Sequence, residues 1–205
     1  LNSDGQAWRP NVDIRDVAWE YLTDKNFFEK ILKIFFRLIL KIKLKYFDKI
    51  IITNNAEKKY FISRYDIRKS KIYLLTNGID KEKFNAISKI KKNNKSNKII
   101  ISYIGNIGIA QNLDTLLLAA RNLNDIQFNI VGGGRKLIDI KRKKDLYCLN
   151  NLNIYGRLDW DKVLEIYKNT DILYAQLSEE FNSAIPSKLY EYSASGKCII
   201  YGGNG

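Results

Sequence analysis

The chain has 205 residues, 45% of them apolar and 28% charged, a balance that excludes disordered and fibrous classes and suffices for one full domain or somewhat more. No run of about 18 apolar residues free of charge occurs, which argues against a spanning helix. Thirty-five Lys and Arg against 22 Asp and Glu leave a formal +13, so an anionic partner is expected: nucleic acid, a membrane surface or a phosphorylated ligand. There is no His, which removes His-based triads, His metal sites and the commonest general base, and leaves carboxylates, Lys, Tyr and backbone donors. Cys148 and Cys198 lie in ordinary apolar surroundings without a CxxC spacing and read as buried, reduced thiols of a cytosolic protein. No signal peptide is visible, and a chain that starts at Leu1 and stops inside a glycine-rich turn reads as a segment of a longer protein.

The charge is uneven. Residues 1–97 carry 22 basic and 11 acidic side chains, net +11, which leaves 13 and 11, net +2, for residues 98–205. Taken in chain order, a short strand before Asp16 comes first, then FFEKILKIFFRLILKIKLKYFDK from Phe27. There Lys30, Lys33, Arg37, Lys41 and Lys45 recur at intervals of three and four, and Phe27, Ile31, Phe35, Leu38 and Ile42 cover a broad apolar remainder. This predicts a basic amphipathic helix, either packed on its own domain with a lysine face toward water or resting on anionic lipid. Aromatics do not interleave with the basic residues in a nucleic-acid pattern, so no nucleic-acid partner is expected.

From residue 49 onward β-branched runs alternate with helical stretches. The predicted strands are 49–53, 71–75, 98–104, 126–131, 152–155, 171–175 and 198–201; the predicted helices are 56–64, 111–123, 135–146, 161–168 and 187–195. Strand, helix, strand at this spacing implies a parallel, doubly wound α/β sheet. The Lys- and Asn-rich run 81–98 has few apolar residues and reads as a solvated linker. The expected organisation is a domain remnant over 1–85, a linker over 86–97 and a ligand-binding domain over 98–205.

Ligands of open parallel sheets bind at the carboxyl ends of the strands. Four loops there are unusual. In IISYIGNIGIAQNLDTLL (100–117) Gly105 and Gly108 bracket a tight turn before a helix, a place where backbone can approach an anion, although the turn lacks the GxGxxG fingerprint and no Walker lysine follows. IVGGGR (130–135) is either a packing turn or a ligand loop. IYGRLDWD (154–161) offers Arg157, a surface arginine or a ligand. SAIPSKLYEYSASGKCII (183–200) starts a helix at Pro186 and Ser187 and places Lys188 and Glu191 three residues apart, able to hold an anion and a hydroxyl pair or to form a plain surface pair.

In order, IRD (14–16), TNGIDKEKF (76–84), YIGNIGIAQNLDTLLLAA (103–120), FNIVGGG (128–134), LNIYGRL (152–158), TDILYA (170–175) and PSKLYEYSASGK (186–197) resemble family-4 nucleotide-sugar glycosyltransferases of the GT-B fold, in particular the bacterial subgroup that builds capsule, O-antigen and related surface polysaccharides. The resemblance runs from about Ile14 to the end of the chain. It implies two Rossmann-like domains, the carboxyl-terminal one holding a UDP- or GDP-linked sugar and the amino-terminal one a lipid-linked or saccharide acceptor. It also implies transfer of the sugar to an acceptor hydroxyl, with retention and without a metal or other cofactor, in the cytoplasm and with a possible peripheral seat on the inner membrane face.

Position by position, the resemblance implies that Glu191 binds the ribose hydroxyls and that Gly105, Asn106 and Gly108 line the donor phosphates. The chain also departs from the family. Ser183, eight positions before Glu191, stands where many relatives have a Glu that contacts the donor sugar, and Asn106, Gln111 and Asn112 replace the Arg, Lys and Gly of the usual diphosphate clamp. Ser187 and Lys188 at the helix start are candidate donor-binding residues, with Lys188 the candidate to supply the missing charge and Arg157 second, and Asp16 is a candidate base facing the cleft. The 205 residues alone are expected to be inactive. A nucleotide-sugar epimerase of the same architecture, or a non-catalytic remnant or binding module, are the alternatives.

Overall fold

The computed structural model describes residues 10–14, 26–91, 97–181 and 185–203. The chain divides into two compact units, Leu1–Asn77 and Gly78–Gly205.

The first unit is a three-stranded parallel sheet of β1 (Asn11–Ile14), β2 (Lys49–Ile52) and β3 (Ile72–Leu74), ordered β1-β2-β3, with helices α1 (Phe27–Tyr46) and α2 (Asn55–Tyr65) in the crossovers. Its core gathers Ile14, Leu44, Ile50, Ile52, Phe61, Tyr65, Ile67 and Ile72. The start of α2 is fixed by its cap: Asn54 Oδ1 accepts from Glu57 N at 2.8 Å, and the buried Glu57 carboxylate reaches back to accept from Thr53 N and Thr53 Oγ1, both at 2.8 Å. In α1 the lysines Lys30, Lys41, Lys43 and Lys45 face water, but the broad apolar face is not what packs on the sheet. Leu44 is buried and Leu40 packs on the core, whereas Phe27, Phe28, Phe35, Leu38 and Ile42 all stand exposed. The apolar remainder is wider than one contact can cover, and the sheet takes the narrow Leu40–Leu44 edge.

The second unit opens with α3 (Lys81–Ser88), in the run read as a solvated linker. Asp80 caps it, its Oδ1 accepting from Glu82 N at 2.8 Å and Lys83 N at 3.3 Å, and Ile87 is fully buried, which ties the helix to this unit. The compact-unit boundary therefore falls at Asn77 and Gly78, earlier than the expected 85. There follow β4 (Ile100–Ile104), α4 (Asp114–Asn122), β5 (Gln127–Val131), α5 (Leu137–Leu146), β6 (Leu152–Gly156), α6 (Trp160–Asn169), β7 (Ile172–Gln176), α7 (Lys188–Ala194) and β8 (Cys198–Gly202). The five strands are parallel in the order β6-β5-β4-β7-β8. One core cluster joins β4 and β5 to α4 and α5; another joins β4, β5 and β7 to α3, α6 and α7.

The strand order reverses between β4 and β7, so the loops after these two strands diverge and open a crevice at their carboxyl ends. Both cysteines are exposed free thiols, contrary to the buried state expected of them. Cys148 has a φ of 50° just past α5, and Cys198 begins β8, which among the described residues pairs with β7 alone.

Candidate functional site

The crevice is built from the end of β4 and the start of α7. Tyr192 anchors α7. Its buried hydroxyl accepts from Ile104 N at 2.8 Å and lies 3.1 Å from Ile104 O and 3.2 Å from Tyr174 O, which joins the helix to both strands that flank the crevice. One helical turn earlier, Lys188 donates from Nζ to the Tyr103 hydroxyl, with its ammonium 4.0 Å from the Tyr103 ring centroid. The Tyr103 hydroxyl in turn donates to Asn106 O. Lys188, Tyr103 and the Gly105–Asn106 turn thus form one chain of contacts.

The Lys188 ammonium sits close over Gly105: a Cβ there would come within 2.6 Å of Lys188 Nζ and the lysine would have to shift. Burial pushes the Lys188 ammonium down to about 7, and the Glu191 charge works in the opposite direction. Burial also pushes the Tyr103 phenol up, so it stays a neutral donor.

The triple-glycine run is the buttress of this turn. Gly105 N donates to Val131 O at 2.9 Å, Ile107 N to Gly133 O at 2.8 Å and Gly132 N to Gly156 O at 2.7 Å. Gly132 has a φ of 143°, and a Cβ on it would sit 1.8 Å from Gly105 O, so no other residue fits. Gln111 Oε1 accepts from Gly108 N at 3.0 Å, closing the loop and delaying α4 to Asp114 where 111 was expected. A cavity of about 250 Å³ opens beside Gly108 and Asn112, with the buried Ser178 hydroxyl on its wall.

Glu191 lies one turn along α7 from Lys188. Its Oε1 is 3.4 Å from Lys83 Nζ, and the same ammonium is 5.5 Å from the Trp160 ring centroid. The structure therefore brings together Gly105, Asn106, Gly108, Lys188 and, on the next turn, Glu191. Arg157 is exposed and lies over Gly133, whose Cβ would meet its Nε at 2.7 Å and whose carbonyl accepts from Ile107 N, so it borders the same loop frame without a hydrogen bond or ion pair to Lys188 or Glu191. Ser187 is exposed at the start of α7 and makes no side-chain capping bond. Asp16 and Ser183 lie outside the described residues. Among the described residues no three His, Cys, Asp or Glu side chains gather into a metal-type cluster.

Sequence reasoning missed Lys83, Tyr103 and Trp160. For Lys83 a signal existed: Asp80 followed by a helix-compatible run with Ile87 seven positions on is an N-cap and an inward face. Tyr103 sits inside a quoted motif, but nothing local links it to Lys188, 85 positions away.

Comparison with known proteins agrees with this architecture. The model of "Glycosyl transferases group 1" matches residues 85–205. An uncharacterised glycosyltransferase of Methanocaldococcus jannaschii is 23% identical over 184 residues, covering 86% of this chain and 46% of its own length. Among solved structures, sucrose-phosphate synthase of Thermosynechococcus elongatus superposes with a TM-score of 0.71 at 15% identity, covering 98% of this chain and 52% of that one. HepE of Anabaena, solved with UDP and glucose, gives 0.62 at 14% identity, covering 82% and 49%. A glycosyltransferase of Rickettsia africae gives 0.63 at 21% identity, covering 77% and 45%. The chain spans about half the length of these relatives. With the family model matched over more than half of its residues and the same parallel α/β architecture in its structural neighbours, the chain belongs to the glycosyl transferases group 1 family.

Proposed function

We propose that the unit Gly78–Gly205 holds the nucleoside diphosphate sugar, UDP- or GDP-linked, in a transfer of the sugar to an acceptor hydroxyl. The observation that carries this reading is the Lys188 ammonium resting on Gly105 at the crevice, with Glu191 one turn further along the same helix. An ammonium beside bare backbone suits a diphosphate, and a carboxylate about one turn away suits a pair of ribose hydroxyls. HepE, of the same fold, is a protein solved with UDP and glucose.

In the proposed reaction the bond between the anomeric carbon and the diphosphate oxygen breaks, and the acceptor oxygen bonds to that carbon. The acceptor's proton leaves to a base, and the electron pair leaves with the diphosphate. Lys188, once protonated, stabilises that departing charge in a partly dry site where such contacts are strongest. This reading needs no metal and takes the anomeric configuration to be retained. The acceptor is a lipid-linked or other saccharide of a bacterial surface polysaccharide. Calorimetric titration of the chain with UDP, GDP and ADP tests the reading. At least one should bind, Lys188→Ala should weaken it by about 1–3 kcal/mol, and binding of none of the three would refute the assignment. Product analysis with donor alone separates transfer from epimerisation, since an epimerase would change the sugar without any acceptor.

A further inference from the structure

Helix α1 presents its greasiest surface away from its own sheet. Successive helical residues turn by about 100°, so Leu40 and the buried Leu44 mark the direction of the core, and the opposite direction is centred on Ile31, Phe35 and Ile42. These three are 50%, 55% and 60% exposed, and Phe27 and Phe28 at the amino end reach 81% and 74%. An apolar sector centred opposite the sheet contact is not a packing face that slipped by a residue; it is a second face with its own orientation. Exposed apolar patches of this continuity mark a binding surface.

Charge identifies the occupant. Exposed Lys30, Lys41 and Lys45 border the apolar sector on one side and exposed Lys43 on the other, while Glu29 is the helix's single acid. Between α1 and α2 a groove of about 210 Å³ is lined by Ile34, Arg37, Leu38, Lys41, Arg64 and Tyr65, three cations on an apolar floor. A second copy of the chain would set these lysine borders against one another. Nucleic acid would meet the apolar centre first. An anionic bilayer satisfies both parts at once, taking the apolar sector among its acyl chains and the lysines among its phosphates. No helix among the described residues is long and apolar enough to cross a membrane, so the contact lies in the plane of the surface.

We propose that α1 is an in-plane anchor, seating the chain on an anionic lipid surface through Phe27, Phe28, Ile31, Phe35, Leu38 and Ile42, with Lys30, Lys41, Lys43 and Lys45 at headgroup level. This does not depend on the donor-site reading, because it rests on the other unit.

The test is co-sedimentation of the full chain with phosphatidylcholine vesicles carrying about 30 mol% phosphatidylglycerol, against vesicles of phosphatidylcholine alone. Binding to the anionic vesicles should be at least about tenfold tighter and should weaken as salt is raised. The Leu38→Glu, Ile42→Glu pair should lose binding with an unchanged circular dichroism spectrum, since both positions face outward. Replacing Lys30, Lys41 and Lys45 by Gln should cost about fivefold per lysine, the factor that corresponds to about 1 kcal/mol each. As a measurement that needs no disruptive variant, Phe28→Trp should add fluorescence that acyl-brominated anionic vesicles quench. Equal or absent binding to the two vesicle types, unaltered binding by the Glu pair, or no added quenching would overturn the proposal. So would a dimer in light scattering that the Glu pair dissociates, which would mean a second copy covers the face.

Discussion

Binding of a nucleoside diphosphate should draw a proton onto Lys188. In the free protein burial lowers this ammonium to about 7 against the opposing influence of Glu191, so close to half the molecules carry it neutral at pH 7. A diphosphate at the Gly105 face favours the charged form and moves the group back up. If only the charged form binds well, affinity relative to pH 6 falls about twofold at pH 7, about tenfold at pH 8 and about a hundredfold at pH 9. The nucleotide's terminal phosphate, with a pKa near 6, is already ionised over most of that range and does not mimic the slope. Calorimetry in two buffers of different ionisation enthalpy should report uptake of about half a proton at pH 7 and about nine-tenths at pH 8. Lys188→Ala should be about 5- to 150-fold weaker at pH 7, equivalent to about 1–3 kcal/mol, and its affinity should no longer vary with pH. Stability supplies an independent check of sign. The folded value lies below the ordinary 10.5, so the unfolded chain binds the extra proton between about 7 and 10.5, and stability should rise with pH across that window. Lys188→Met should therefore melt higher than the parent at pH 6, with the gap closing toward pH 10. A flat affinity from pH 7 to 9, with no proton uptake and no effect of Lys188→Ala, would refute the chain of reasoning from burial to binding.

Lys83→Ala should weaken nucleotide binding by fivefold at most, because its pair with Glu191 is half exposed and such pairs contribute about 0.2–1 kcal/mol; a double-mutant cycle with Glu191→Gln in calorimetry would isolate that coupling. Gly132→Ala should destabilise the second unit by about 2–4 kcal/mol in thermal unfolding, since its Cβ would sit 1.8 Å from Gly105 O. Glu57→Ala should lower the stability of the first unit by about 1–2 kcal/mol in denaturant unfolding, as it removes the acceptor of the Thr53 amide and hydroxyl. It should leave nucleotide affinity unchanged.

Much of the second unit was readable because β-branched and aromatic runs at 98–104, 126–131, 152–155 and 171–175 alternate with helical stretches, and the structure places strands at all four. Register and loop contacts were not readable. The triple glycine could have been a ligand loop; only the approach of Gly105 O to Gly132 makes it a buttress. The period of α1 sorted its residues into faces, but which face meets the sheet depended on the width of the Leu40–Leu44 contact, a tertiary matter. Lys83 was lost among its charged neighbours because local composition outweighed a single buried Ile87. Lys188 was legible as a cation near a turn, whereas its altered protonation was not, since burial by Tyr103 comes from a strand 85 positions away.

The amide ladder that runs on past the strands, from Gly156 to Gly132 and from Val131 and Gly133 to Gly105 and Ile107, turns three separate loops into a single stiff frame. Side chains standing on that frame can change without moving it. A lineage could exchange Asn106, Gln111 or Arg157 without disturbing it, while the frame itself tolerates almost nothing at Gly132. Innovation and constraint are thus separated by only a few ångströms, and a library that randomises the tips while holding the glycines should yield far more folded variants than one that randomises the whole loop.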